Sequence, residues 1–257
     1  MHSHSDPLFA VNGKSILVAG GTGGLGTTLA RELDRRGARV VIADVNHARA
    51  QELAKELSGA GAEAGSVALN VTDRGSCRAA VEYTLDLFGK IDGLVNASGI
   101  YRVGPALELS DADWDDTIDI NLTGAFRIAC AAGAAMTKQR SGSIVTVTSV
   151  SSHVANQNYA AYAASKAGAA HLTRVLALEW ASLGIRVNAL GPAVTPTPLT
   201  TDLFKDPAAV SGALAKIPMN RFGTPDDLMA ATIFLLGPGS VFMTGQVLYV
   251  DGGRTIF

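Results

Sequence analysis

The chain has 257 residues, 47% of them apolar, and 21 Lys and Arg against 23 Asp and Glu give a formal charge of -2. A chain of this length buries one substantial core, so a single domain is expected. The near-neutral balance, with no basic run longer than Arg35-Arg36, gives no electrostatic reason to expect nucleic acid or an anionic membrane as partner.

At the start, MHSHSDPLF lacks the apolar core of a signal peptide, and no later run approaches the roughly 18 apolar residues of a membrane span. SILVAG reads as the first strand and runs into the helical pattern TTLARELDRRG. RVVIA, a second strand, is followed by HARAQELAKELSG; GSVALN, a third, by RAAVEYTLDLFG. GLVNA, SIVTVTS, IRVNAL and QVLYV complete seven strand candidates, short and rich in β-branched residues. This alternation predicts an α/β, Rossmann-like, doubly wound sheet of seven mainly parallel strands with helices on both faces, one domain over residues 1–257. GPAVTPTPLTTDLFKDP carries four prolines and is expected to be a loop with short helical pieces, the core of a substrate lid over about 192–216. Cys77 and Cys130 lie far apart without metal-ligand spacing, which suits a reducing compartment, and a cytoplasmic location is expected. The five histidines and scattered acids show no zinc spacing, so no metal is expected.

The first strand leads directly into GGTGGLGTTLAREL, where Gly20, Gly24 and Gly26 form a Gly-x-x-x-Gly-x-Gly turn opening a helix. Missing side chains let backbone approach a phosphate, and the helix start presents unpaired N–H groups to a pyrophosphate. Such a turn alone is also what a plain tight turn looks like. The preceding strand, the following helix and an acid at the next strand end make the cofactor reading specific. That acid is Asp44, eighteen residues after Gly26, placed to accept hydrogen bonds from ribose hydroxyls and repel a 2′-phosphate. NAD is therefore favoured over NADP, with Arg39 and Arg49 as the cations that could reach a 2′-phosphate instead. Asp44 as a solvated helix cap is the competing reading.

NYAAYAASKAG sets Tyr159 and Tyr162 three residues apart. A tyrosine of pKa near 10 needs help to act at neutral pH. Lys166, one helical turn beyond Tyr162, lies on the same face and favours phenolate, whereas Tyr159 has Ala163 at that spacing. Tyr162 is thus the acid/base candidate, and Tyr159 a residue of the active-site floor or a substrate contact.

With these motifs together, the chain resembles the short-chain dehydrogenase/reductase family, in its roughly 250-residue Tyr-x-x-x-Lys form. LVNASGI, DINLTGAF, RFGTPDDL and MTGQVLYVDGG extend the resemblance over nearly the whole chain. The resemblance implies that Ser149, thirteen positions before Tyr162, hydrogen-bonds the substrate oxygen. It implies that Asn121 extends a proton path through a water, and that Lys166 also holds the nicotinamide ribose. Thr197 aligns with the carboxamide contact, with Thr195 left open by the TPTP spacing. Thr22, Leu25, Asn70, Val71, Asn96, Ala97, Pro192 and Val194 complete the expected cofactor contacts. A homotetramer is implied as well.

Four positions depart from the family pattern. Ala19 replaces a threonine that ties the glycine turn to the Asn-Asn-Ala-Gly strand end, itself altered to Asn96-Ala97-Ser98-Gly99, where Ser98 offers a substitute hydroxyl. Asn70 replaces an aspartate that touches adenine, and Ala193 replaces a glycine, adding a methyl near the nicotinamide face.

The function expected is hydride transfer between NAD and a secondary alcohol or ketone. HVANQN, after Ser149, is polar and offers His153, Asn156, Gln157 and Asn158, which suits a small polar substrate such as a polyol, sugar or hydroxy acid if these face the pocket. Ser151, His153 and Tyr159 are the substrate candidates. Alternatives are an NADPH-dependent 3-oxoacyl or ketone reductase and a nicotinamide-binding sensor or scaffold without turnover.

Overall fold

In the computed structural model, residues 6–59 and 63–256 are described, so the first five residues of MHSHSDPLF lie outside them. Strand β1 (Ser15–Ala19) is buried at every position, and its side chains alternate between two cores. Ile16 and Val18 face one, Leu17 and Ala19 the other, which is why the strand reads as a continuous apolar run. β2 (Arg39–Asp44) and β3 (Ala64–Ala68) lie on one side of β1; β4 (Gly93–Asn96), β5 (Gly142–Val147), β6 (Ile185–Pro192) and β7 (Val247–Val250) follow on the other. The order is β3-β2-β1-β4-β5-β6-β7, every pair parallel. All seven predicted strands are present.

Helices cover both faces. α1 (Gly24–Arg35), α2 (His47–Gly59) and α8 (Met229–Leu236) enclose the first core; α3 (Arg74–Phe88), α5 (Gly124–Gln139) and α6 (Ala160–Trp180) the second. Fully burying a Leu or Ile is worth about 1.5–3 kcal/mol, so Leu29, Leu33, Ile128 and Ile144 each contribute on that scale. α3 begins four residues before the expected segment because Asp73 caps it, its carboxylate accepting the Gly75 N–H at 2.8 Å. It stops at Gly89, whose φ of 75° takes the left-handed conformation.

Two pieces surround the site. α4 (Asp111–Ile118), capped by Ser110, leads into a π-helical turn (Asp119–Thr123) that continues directly into α5. After β6 the proline-rich segment forms two 3₁₀ turns (Pro198–Thr200, Leu203–Lys205) and α7 (Pro207–Leu214), the loop with short helical pieces that its prolines dictate. No helix among the described residues is long and apolar enough to cross a membrane.

Candidate active site

β1 sits between β2 and β4, so the chain leaves its carboxyl end toward one neighbour while β4 and its successors lead the other way, and a crevice opens there. The glycine turn fills its floor. Gly20, at φ 72°, has no room for a side chain, since a Cβ would lie 2.6 Å from the Ser98 nitrogen. Its N–H and that of Gly21 donate to the Ala43 carbonyl at 2.9 and 3.2 Å, tying the turn to β2. No side chain caps α1, whose first residues Gly24, Leu25 and Gly26 line a cavity of about 780 Å³. Such a start, bare of Cβ atoms at its glycines, fits a pyrophosphate.

Asp44 holds the exit of β2. Its carboxylate accepts the Thr22 N–H and the Asn46 N–H, both at 3.0 Å, so it is fixed beside the glycine turn. The two candidate cations turn elsewhere: Arg39 stacks over Phe88 at 5.1 Å, at the opposite end of β2, and Arg49 pairs with Glu52 at 2.9 Å. The tie from the turn to β4 is made by backbone, the Ala97 N–H donating to the Ala19 carbonyl at 2.8 Å. The expected Ser98 substitute is not needed for that tie; its N–H donates to Asn96 at 3.1 Å. Asn70 is exposed, and its side-chain oxygen accepts the Thr72 N–H and hydroxyl at 3.0 and 2.8 Å, leaving its amide nitrogen for a base edge. Val71 is buried against Gly124 rather than lining the cavity.

Across the crevice, Ser149 follows β5 and caps a 3₁₀ turn, accepting the Ser151 N–H at 3.1 Å. Tyr162 and Lys166 stand one turn apart on α6, both buried, at 8% and 5% exposure. The Lys166 ammonium donates to the Val147 carbonyl at 3.0 Å and lies 5.8 Å from the Tyr162 ring centre. Ser149, Tyr162 and Lys166 thus converge on one cavity with Pro192, Ala193, Val194, Thr195 and Thr197. Both candidate threonines reach it. A Cβ on Gly24 would lie 2.9 Å from that of Thr197, so the proline-rich segment rests on the glycine turn.

Burial pushes Tyr162 up to about 12, against the downward pull of the Ser149 hydroxyl, and brings Lys166 down to about 8. The lowering of the tyrosine expected from the lysine does not appear: burial sets the upward direction, with Tyr159 adding to it.

Asn121, on the π-helical turn, accepts the Ile100 N–H at 2.8 Å and donates to the Ile100 carbonyl at 3.0 Å and the Ser165 hydroxyl at 3.1 Å. Its amide is fully engaged, and it joins the loop after β4 to α6.

Of the substrate candidates, Ser151 and Tyr159 line the cavity and His153 does not. His153 is exposed and tilts against Tyr249, 5.8 Å between ring centres, because the 3₁₀ turn carries it past the cavity mouth. The other polar residues of that loop, Asn156, Gln157 and Asn158, do reach the wall. Sequence reading missed Tyr101 and Arg254. The Tyr101 hydroxyl hydrogen-bonds that of Tyr159, and its ring meets Tyr162 edge-on at 5.0 Å. Both follow the carboxyl ends of sheet strands, a signal that was available.

Fold and site together define an oxidoreductase that uses a nicotinamide cofactor on CH–OH groups. A family model described as Enoyl-(Acyl carrier protein) reductase matches residues 19–255. The chain is 39% identical to a D-threitol dehydrogenase of Mycolicibacterium smegmatis, covering 96% of this chain and 95% of the relative. It is 37% identical to a 3-oxoacyl-[acyl-carrier-protein] reductase of Thermotoga maritima, covering 96% and 99%. A solved gluconate 5-dehydrogenase from Burkholderia cenocepacia, in complex with NADP and tartrate, superposes with a TM-score of 0.94 at 35% identity over 98% of each chain. The chain belongs to the short-chain dehydrogenase/reductase family.

Proposed function

We propose that this protein is an NAD-dependent dehydrogenase of a small polar secondary alcohol. The observation that carries the reading is the convergence of Ser149, Tyr162 and Lys166 on the cavity that the glycine turn floors. NAD, when bound, supplies the hydride acceptor. Gly20, Gly24 and Gly26 form its pyrophosphate cradle, and Asp44, with no cation among the described residues paired to it, favours a free 2′-hydroxyl over a 2′-phosphate. Ser149 donates a hydrogen bond to the substrate oxygen. Tyr162 takes the hydroxyl proton as the carbinol carbon gives up hydride, and returns it to the carbonyl oxygen in the reverse direction. Lys166 keeps a positive charge on the same helix face, favours the phenolate and orients the cofactor ribose. The proline-rich segment over 192–216 acts as the substrate lid, resting on Gly24 through Thr197 and Pro198.

The polar wall formed by Asn156, Gln157 and Asn158 supports a polyol, sugar or hydroxy acid as substrate. The second reading, an NADPH-dependent 3-oxoacyl or ketone reductase, is favoured by the Thermotoga maritima relative and by the NADP in the Burkholderia cenocepacia complex.

The deciding experiment follows reduced-nicotinamide absorbance with NAD and NADP in parallel across polyols, sugars, hydroxy acids and a 3-oxoacyl thioester, with Tyr162→Phe as control. Turnover of a polar alcohol with NAD, lowered ~10²–10⁴-fold in the variant while cofactor affinity holds, is the expected result. Turnover of the thioester alone, with NADPH, establishes the second reading.

A further inference from the structure

Three cations line the cavity, Lys166, Lys216 and Arg254, and among its described lining residues there is no Asp or Glu. Lys166 is engaged by the Val147 carbonyl, and Lys216 is exposed beyond the end of α7. Arg254 differs from both. It is half-buried on the turn after β7, and no carboxylate among the described residues lies within ion-pair distance of it. Arg102, Arg127 and Arg221, by contrast, are neutralised by acids, Arg102 by Asp113 and Asp116, Arg127 by Asp119 and Arg221 by Asp227. Arg254 instead donates through Nη2 to the side-chain oxygen of Asn156, at 3.2 Å.

The turn is built to hold that arginine. Gly252 and Gly253 take φ of 61° and 91°, and Cβ atoms there would lie 2.7 Å from Ile217 and 2.9 Å from Pro218. Asp251, the one acid close in sequence, is occupied by the turn itself. Its oxygens accept the Gly253 N–H at 2.9 Å and the Thr255 N–H and hydroxyl at 2.8 and 2.7 Å. Among the described residues, the guanidinium therefore has most of its five donors unused, at the wall of a cavity whose described lining carries no acid. A planar fork of this kind matches a carboxylate, with two parallel N–H···O bonds.

We propose that Arg254 is a carboxylate-binding residue of the substrate cavity, with Asn156 positioning it. The substrate is then a hydroxy acid or sugar acid held by its carboxylate in preference to a neutral polyol. This rests on the alcohol-dehydrogenase reading above, and narrows it. Lys216 adds positive potential on the lid side and steers an anion inward.

The test compares D-gluconate with D-sorbitol, which differ at one end by carboxylate against CH₂OH. Each is titrated calorimetrically into the protein saturated with NADH, which cannot oxidise an alcohol, and each is then assayed with NAD and with NADP. The wild type is expected to bind gluconate more tightly than sorbitol, with an advantage that shrinks as salt is raised. Arg254→Gln lowers the gluconate-to-sorbitol affinity ratio by about tenfold or more, the scale of a lost charged hydrogen-bonded pair. Arg254→Lys, which keeps the charge and loses the fork, falls between. Equal affinity for the two ligands in the wild type, absence of gluconate binding, or a ratio unchanged in Arg254→Gln overturns the proposal. Gluconate held through Arg254 but oxidised with neither cofactor supports the carboxylate site and counts against the dehydrogenase reading alone.

Discussion

Replacing Gly26 by alanine adds one methyl group at a point where the backbone folds back on itself. An ideal Cβ there lies 2.1 Å from the Gly20 carbonyl oxygen and 2.8 Å from the Gly21 Cα. A comfortable carbon–oxygen approach is about 3.3 Å, so the turn and the first residues of α1 must separate by roughly 1.2 Å. No flexible side chain can absorb the shift, because both obstructing atoms are main chain. Forced overpacking costs about 1–3 kcal/mol, and this site belongs at the upper end; the gain in helix propensity from Gly to Ala returns about 1 kcal/mol. The net loss of about 2 kcal/mol lowers Tm by roughly 4–8 °C in a chain of this size. A displacement on the order of 1 Å at the cofactor cradle lowers turnover on the order of 10²-fold. Gly23→Ala is the internal control: it is three residues away in the same turn, and its Cβ meets only the Gly20 oxygen at an ordinary 3.4 Å. It should keep Tm within about 2 °C of wild type, as substitutions free of such clashes do. The assays are scanning fluorimetry for Tm and NADH fluorescence titration for the cofactor. A Gly26→Ala protein that melts and binds NADH as the wild type does refutes the steric argument.

Three further outcomes are expected. Burial lowers Lys166 to about 8 from an ordinary 10.5, so the unfolded chain binds more protons than the folded one between those values, and stability relative to Lys166→Met rises with pH there. The rise is up to ~3 kcal/mol in urea unfolding; a pH-independent difference between the two proteins contradicts it. Tyr162, raised from 10 to about 12, acts with the opposite sign, withdrawing stability as pH climbs between those values. Asp44→Ala should raise the NADP-to-NAD preference in kcat/KM by about fivefold or more, since a like-charge repulsion of ~1 kcal/mol or more is removed. An unchanged preference would show that Asp44 does not face the ribose. Tyr101→Phe and Tyr159→Phe each leave a partly buried hydroxyl without its partner, at about 1 kcal/mol apiece, whereas the double variant loses both together and should cost less than the sum. Strict additivity in urea unfolding would show that the hydroxyls do not interact.

The inner strands β1, β2 and β4 were legible because burial on both faces writes them as apolar runs, and the glycine turn because Gly20 and Gly26 have no room for a side chain. Tyr162 and Lys166 were legible because helical spacing alone places them on one face. Arg254 escaped notice because only the fold shows that the neighbouring Asp251 is taken up by its own turn and which charges go unpaired among the described residues. His153 misled for a related reason. A polar run near a site does not reveal which of its members a 3₁₀ turn directs outward. The start of α3 was read late because an Asx cap, such as Asp73, is a local hydrogen bond and leaves no periodic trace. Nothing in residues 119–123 signals a π-helical turn; the extra residue there is accommodated by tertiary contacts through Asn121.

The position of β1 between β2 and β4 gives the molecule a division of labour. Under the proposed function, the residues that meet the adenosine end hang from the β1, β2 and β3 exits, while those around the substrate hang from β4, β5, β6 and β7. The two sets meet only along the crevice, chiefly where Thr197 rests on Gly24. Under the same reading, changes at Asp44 retune the electron carrier without disturbing the wall around Asn156 and Arg254. That wall can accept a new substrate while the carrier stays the same, so the protein can be adapted along two nearly independent axes.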